Sequence, residues 1–253
     1  MSNDSTLEAP YPRPLSGAAV AELPSGLIPA RAPLVGKAVE LVPQNVRLHA
    51  ADLYAAGHDS EAGLRIWDYM TYGPWASLAD YETTMRSQSA SFDTIFYAVR
   101  PLDSEQFHGQ TSYLDINPQM GVIEIGHIWF GPKLARTRAA TEALYLMIRH
   151  AMDDLGYRRM HWRCNSLNAK SRQAARRLGF RFEGIFYNHM IFKGKNRDTA
   201  WYSILDDEWS EVRAILETWL DDANFDETGQ ARRSLFELMS ERTPSHRGAS
   251  HDD

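Results

Sequence analysis

A single cysteine, Cys164, in 253 residues excludes an intramolecular disulfide. No apolar run approaches the roughly 18–20 residues that span a bilayer, so no membrane partner is expected. Met1–Pro14 is polar and proline-rich and does not read as a signal peptide. These absences point to a cytoplasmic protein. The chain also lacks G-x-S-x-G, the Walker A pattern, G-x-G-x-x-G, H-E-x-x-H and C-x-x-C. The familiar hydrolase, nucleotide, dinucleotide and zinc-protease signatures are therefore missing. The nine histidines are scattered without metal-ligand spacing, and no metal is expected. Cys164 falls within a predicted strand, where a buried structural thiol is the expected role.

What is present suits a globular protein: 43% hydrophobic and 24% charged residues, with a net charge of −6. That sign argues against nucleic acid as a partner. Charge is uneven, however. Residues 131–181 hold twelve Lys/Arg against Glu142, Asp153 and Asp154, whereas the chain from Asp206 onward is acidic. A basic middle inside an acidic protein reads either as solvated helix faces or as a site for one polyanionic ligand.

Residues 1–36 carry half of the twelve prolines and no clear period, and read as an extended N-terminal arm. "KAVELVPQN" predicts a strand. "VRLHAADLYAAGHD" carries helical spacing through Val46, Leu48, Leu53 and Tyr54. "SLADYETTMRSQS" predicts a helix capped by Ser77. "DTIFYAVRPL" reads as a strand, and "GQTSYLDINPQMGVIEIGHIWFGP" as two strands joined by a turn. A helix over about 139–155 places Leu144, Met147, Ile148, Ala151 and Leu155 on one face and ends at Gly156. "YRRMHWRC" is a period-two strand. "NAKSRQAARRLGF" is a helix with Asn168 as N-cap and Gly179 as C-cap. A hairpin over 181–205 and a helix "DEWSEVRAILETWLDD" follow. The predicted order, β-α-α-β-β-β-α-β-α-β-β-α, is a mixed α/β domain with one central sheet. The domain is expected over 37–222, with a polar, partly disordered tail over 223–253 holding a short helix.

The turn "GPKLARTRAATEA" (131–143) joins a strand to a long helix. Helix N-termini offer unpaired N–H groups to phosphates, and such turns normally use glycine for close approach. Past Gly131 this one has none.

Three stretches in order, "IEIGHIWFGPKLARTRAATEALYLMIRHAM", "NSLNAKSRQAARRLGFRFEG" and "RDTAWYSILDDEW", resemble the GNAT acetyltransferases. They are most similar to the branch of the ribosomal-protein N-terminal acetyltransferases RimJ and RimL. The resemblance covers about residues 37–210. It implies a mostly antiparallel twisted sheet, splayed in the middle, with helices on both faces. It also implies acetyl-CoA as acyl donor, an amine acceptor, and direct transfer without an acyl-enzyme.

In that family the loop pattern is Q/R-x-x-G-x-G/A. Lys133 takes the first place, and Arg136 and Arg138 stand at the two glycine places. Arginine fits there if its φ stays negative, as at a regular helix start. The resemblance then assigns Lys133, Arg136, Thr137, Arg138, Ala139, Ala140 and Thr141 to the phosphates. It assigns the backbone of Ile128, Trp129 and Phe130 to the pantetheine arm, with Gly126 as the weak point where the sheet opens. Asn168 is expected at the pantetheine arm or as a helix cap. Ser171 replaces a tyrosine acid, absent here because its place is Ala175, and would protonate or hydrogen-bond the leaving thiolate. The alternative for Ser171 is a capping role only.

For the base, Glu124 and His127 flank the expected thioester position. Strand alternation puts them on opposite faces, so that one alone lines the cleft. His127 titrates near neutrality; Glu124 would need a raised pKa or a relaying water. Glu183 is a third candidate, and an α-amino acceptor needs little help. Trp67, Tyr69, Tyr72 and Trp75 would line the acceptor pocket or fill the core. The acceptor stays open among a protein N-terminus, an amino acid and an amine-bearing metabolite or antibiotic. The alternative function is a non-catalytic acyl-CoA-binding module. The hairpin 180–205 offers a surface for a homodimer.

Overall fold

A computed structural model describes residues 13, 15–17 and 19–242. The predicted disorder at the C-terminal end falls on 243–253 and lies outside the described residues, as do residues 1–12. No described helix is long and apolar enough to cross a membrane.

The strands are β1 (Leu34–Val35), β2 (Val39–Pro43), β3 (Ile95–Pro101), β4 (Gly109–Asn117), β5 (Val122–Phe130), β6 (Arg159–Asn165), β7 (Arg181–Phe192) and β8 (Lys195–Leu205). They form one sheet in the order β1-β2-β3-β4-β5-β6-β8-β7. Every pairing is antiparallel except β5 with β6. The mixed α/β class with a mostly antiparallel open sheet is thus as the sequence implied.

The helices start where short polar side chains cap them. Asn45 opens α1 (Val46–His58), accepting from the Arg47 and Leu48 amides. Ser77 opens α3 (Leu78–Ser89). Thr137 opens α4 (Arg138–Arg149), and Asn168 opens α5 (Ala169–Arg177). α6 spans Asp206–Leu220 and α7 Leu235–Ser240. Several features differ from the sequence reading, among them the short strand β1 inside the expected arm. A short helix α2 (Glu61–Leu64) and a 3-10 turn (Arg65–Asp68) stand between α1 and α3. The helix expected to run to 155 widens into a π turn over His150–Asp154, next to where the Tyr113 hydroxyl takes the Met147 carbonyl.

Two cores cover the sheet. α4 and α6 pack on one face, over Val39, Tyr97, Tyr113, Ile123, Ile125, Met160, Trp162 and Tyr202. On the other face α1, α3 and the segment between them bury Leu53, Trp67, Tyr81, Met85, Ala98 and Trp129. Residues 19–33 form no helix or strand but are tied down. Tyr97 Oη donates to the Ala30 carbonyl and Tyr157 Oη to the Leu27 carbonyl. Further on, the buried Glu142 carboxylate accepts from the Lys37 and Ala38 amides at 2.8 and 2.7 Å. A side chain at Gly36 would meet that carboxylate at 2.6 Å, so only glycine lets the backbone come this close.

Candidate functional site

β5 and β6 pair over only three positions: Val122 with Arg159, Ile123 with Met160, and Glu124 with His161. Beyond them each strand stays tied on its outer side. β5 continues with β4 to Phe130, and β6 continues with β8 to Asn165. The inner edges therefore diverge, leaving residues 125–130 of β5 without a strand neighbour on the β6 side.

A bulge lies on the opened stretch of β5. Between the pairs Gln110–Trp129 and Ser112–Gly126, Thr111 alone faces both His127 and Ile128. His127 takes φ +51° to allow it. The weak point is thus one residue past Gly126, whose role is close packing: a Cβ there would lie 2.8 Å from the Leu114 side chain. The bulge also corrects the alternation argument. His127 meets Tyr72 and Phe96 on the α1/α3 face, and it feels the charge of Arg163, the partner of Glu124. Glu124 and His127 therefore share a face, because the extra residue resets the period of two.

The turn after β5 keeps the shape of a glycine loop without glycine. Arg136 adopts φ +68°, correcting the expectation that φ stays negative. Its side chain and that of Lys133 are exposed. Thr137 Oγ1 accepts from the Ala140 amide and donates to the Leu134 carbonyl, so it caps the helix. The Arg138 and Ala139 amides, in the first turn, have no intrahelical acceptor. Ala139, Ala140 and Thr141 are small and buried. Arg138 turns away: its guanidinium bonds the Leu220 carbonyl and Asp222 and lies 4.5 Å from the Phe225 ring centre. Sequence reasoning missed Arg177, the second arginine of "ARRLGF". Its Nη1 donates to Thr141 Oγ1 at 3.3 Å, and burial pushes its pKa down.

Across the gap, Asn168 Oδ1 accepts from the Ser171 amide. Ser171 Oγ accepts from Trp162 Nε1 at 3.0 Å, which leaves its own proton available to donate. Sequence reasoning gave Trp162 no role at the site. Ala175, at the tyrosine place, is fully buried.

The four aromatics separate. Trp67 is 1% exposed, donates to the Gly57 carbonyl, and stands 5.3 Å from the Trp129 ring. Both side chains are core, which leaves Trp129 only its backbone to offer. Trp75 is held by Thr84 Oγ1. Tyr69 Oη reaches across to the Leu167 carbonyl at 3.2 Å. Tyr72 Oη lies 3.1 Å from His127 Nδ1.

Charge is tightly paired here. Arg163 Nε lies 2.5 Å from the buried Glu124 carboxylate and also bonds Asp115. Asp115, Glu124 and His161 bring three possible metal-ligand atoms within 4.8 Å of one another, but this guanidinium already supplies the cation among them. His127 does not titrate near neutrality. Burial, reinforced by Arg163 and opposed by Asp115, lowers its pKa to about 4. For Glu183, burial pushes upward but Arg159 and Ser203 outweigh it, so its pKa is lowered. Two arginine bonds of 2.8 and 2.6 Å hold it in a structural pair.

Comparison with known proteins agrees with this geometry. Residues 44–181 match the family described as acetyltransferase (GNAT) domain. A GCN5-related N-acetyltransferase from Brucella melitensis is 40% identical with a TM-score of 0.84, over 87% of this chain and 99% of that one. A chain assigned to GNAT acetyltransferases from Chromobacterium violaceum is 39% identical with a TM-score of 0.70, over 80% and 100%. The microcin C7 self-immunity acetyltransferase MccE, solved with acetyl-CoA and AMP, shares the fold at TM-score 0.58 and 20% identity, over 67% and 93%. No curated protein matches the chain.

Proposed function

The chain belongs to the GNAT acetyltransferase family, whose members are acyltransferases using acetyl-CoA, and from that premise we propose that it acetylates an amine by direct transfer. The observation that carries this is the free inner edge of β5 leading straight into the α4 N-terminus. A strand edge holds an amide-bearing arm, and a helix start holds phosphate. The residues present fit acetyl-CoA: a helix start with amides that have no intrahelical acceptor, Arg136 and Lys133 exposed beside it, and Arg177 bonded to its first turn. When bound, that donor supplies an acetyl thioester.

In this reading the amides around Ile128–Phe130 bind and orient the thioester. The amides of Arg138 and Ala139, with Arg136 and Lys133, take the phosphates. Ser171 donates its hydroxyl proton toward the sulfur, its oxygen held by Trp162. Asn168 fixes that helix end. Tyr69 and Tyr72 border the acceptor side. The acceptor is a protein N-terminus, an amino acid or an amine-bearing metabolite or antibiotic, and the RimJ/RimL-like motifs favour the first. We further propose the division into arm, domain (37–222) and tail, a cytoplasmic location, and a homodimer through the β7–β8 hairpin, where Phe186, Tyr187 and Ile191 are exposed.

Calorimetric titration of acetyl-CoA into wild type and Lys133→Ala/Arg136→Ala tests the reading. Binding that weakens in the double variant supports the donor and a phosphate role for these two side chains. Equal binding keeps the donor and removes that role. No binding to wild type defeats the proposal, and binding without transfer to any amine of a screen leaves an acyl-CoA-binding module.

A further inference from the structure

The amides behind His127 can be oriented one after another. Gln110 Nε2 lies 3.4 Å from the His127 carbonyl oxygen, which can only accept, so that atom is a donor. The same nitrogen donates to Tyr72 Oη at 3.1 Å, and Gln110 Oε1 accepts from Gln44 Nε2 at 2.8 Å. A phenol oxygen has two lone pairs and one hydrogen. Gln110 Nε2 takes one lone pair and, as a donor, cannot receive the hydrogen, so the hydrogen goes to the other described group bonded to this oxygen, His127 Nδ1, at 3.1 Å. Nδ1 is then an acceptor, and the proton of the neutral ring sits on Nε2. No described residue bonds Nε2.

We infer that His127 acts as a fixed hydrogen-bond donor through Nε2–H, toward a carbonyl or carboxylate oxygen of the acceptor, and that Tyr72 and Gln110 are the residues positioning it in that tautomer. It is not the base. A ring carrying its proton at Nε2 cannot take one there from an ammonium, and Nδ1 is closed by Tyr72. The charged groups near the ring are Arg163 and Asp115. Arg163 repels a second proton, and burial acts in the same direction, so the ring stays neutral across the physiological range. The opposite wiring, with Nδ1–H donating to the phenol, would leave the Tyr72 hydrogen without an acceptor among the described residues, and orphaned buried donors are rare.

The role of that donor rests on the acetyltransferase reading; the tautomer does not. The test is long-range 1H–15N spectroscopy of the histidine rings in the full chain, with His127 assigned by its loss in His127→Gln. A neutral Nε2–H ring, unchanged from pH 8 to 5.5, is expected. In Tyr72→Phe, Nδ1 loses its donor and the ring moves toward a mixture of tautomers. An Nδ1–H ring in wild type, or one that titrates near its ordinary value, overturns the inference whether or not Tyr72→Phe folds. Adding acetyl-CoA to the same sample separates the two claims: if it fails to bind, the acetyltransferase reading falls while the tautomer result stands.

Discussion

The two sides of the gap between β5 and β6 are built from different material. Along β5 and into α4, the site is mostly backbone: a strand edge, a left-handed turn at Arg136, and helix amides over small residues. On the α1/α3 face it is side chains: Tyr72 on His127, Arg163 between Asp115 and Glu124, and Trp67 and Trp129 beneath. Backbone offers the same N–H groups whatever side chain it carries, so one side tolerates arginine at glycine places. The other side has no such freedom, because its polar side chains are bonded to particular partners in a buried setting, Tyr72 to His127 and Arg163 to Asp115 and Glu124.

The largest effect should come from the side-chain half. Trp67→Ala removes a fully buried ring and should cost about 4 kcal/mol in urea unfolding. Affinity of the folded protein for acetyl-CoA should hold. If affinity fell in parallel, the two sides would be one unit and the contrast would fail.

Acid should strain the same half. The folded state keeps His127 neutral down to about pH 4, while the unfolded ring takes a proton below its ordinary value of 6.5. The stability this ring contributes is present above pH 6.5 and is lost as pH falls toward 4, by about 3 kcal/mol in all. Unfolding at pH 7, 5.5 and 4.5 should show a shallower fall in His127→Gln. Parallel curves would mean the ring is not held neutral.

Smaller effects belong to the backbone half. Arg138→Ala loses a pair with the exposed Asp222 and the contact with Phe225. We expect about 1 kcal/mol lower stability and unchanged affinity for acetyl-CoA. A loss of affinity would show that this arginine leaves Asp222 for the ligand. Arg136→Gly relieves a left-handed arginine and should raise stability by a few tenths to about 1 kcal/mol, offset in part by the freer unfolded chain. Destabilisation would mean that the Arg136 side chain makes contacts the turn depends on.

Much of the fold was legible because its signals are local. Asn45, Ser77, Thr137 and Asn168 cap helices within three residues of themselves. Gly156 and Gly179 take φ +67° and +92° at helix ends where glycine was expected. The short α2 escaped notice because four residues carry no period. The site was legible as motif but not as geometry. Alternation of Glu124 and His127 failed at a bulge, which needs Thr111 on the neighbouring strand to be seen. Trp162 was missed, since nothing in its own strand names Ser171 as its partner.

The sequence by itself determined the elements, their order, and the strand–turn–helix that carries the family likeness. Those follow from hydrogen bonds and periodicities closed within a few residues. Only the tertiary structure decided where β5 parts from β6, that Arg138 goes to Asp222, 84 residues away, and that Tyr72 meets His127 across 55. Such contacts depend on how the sheet twists and how helices seat on it. Burial then sets their strength, turning a histidine that would titrate near neutrality into one that stays neutral well below it.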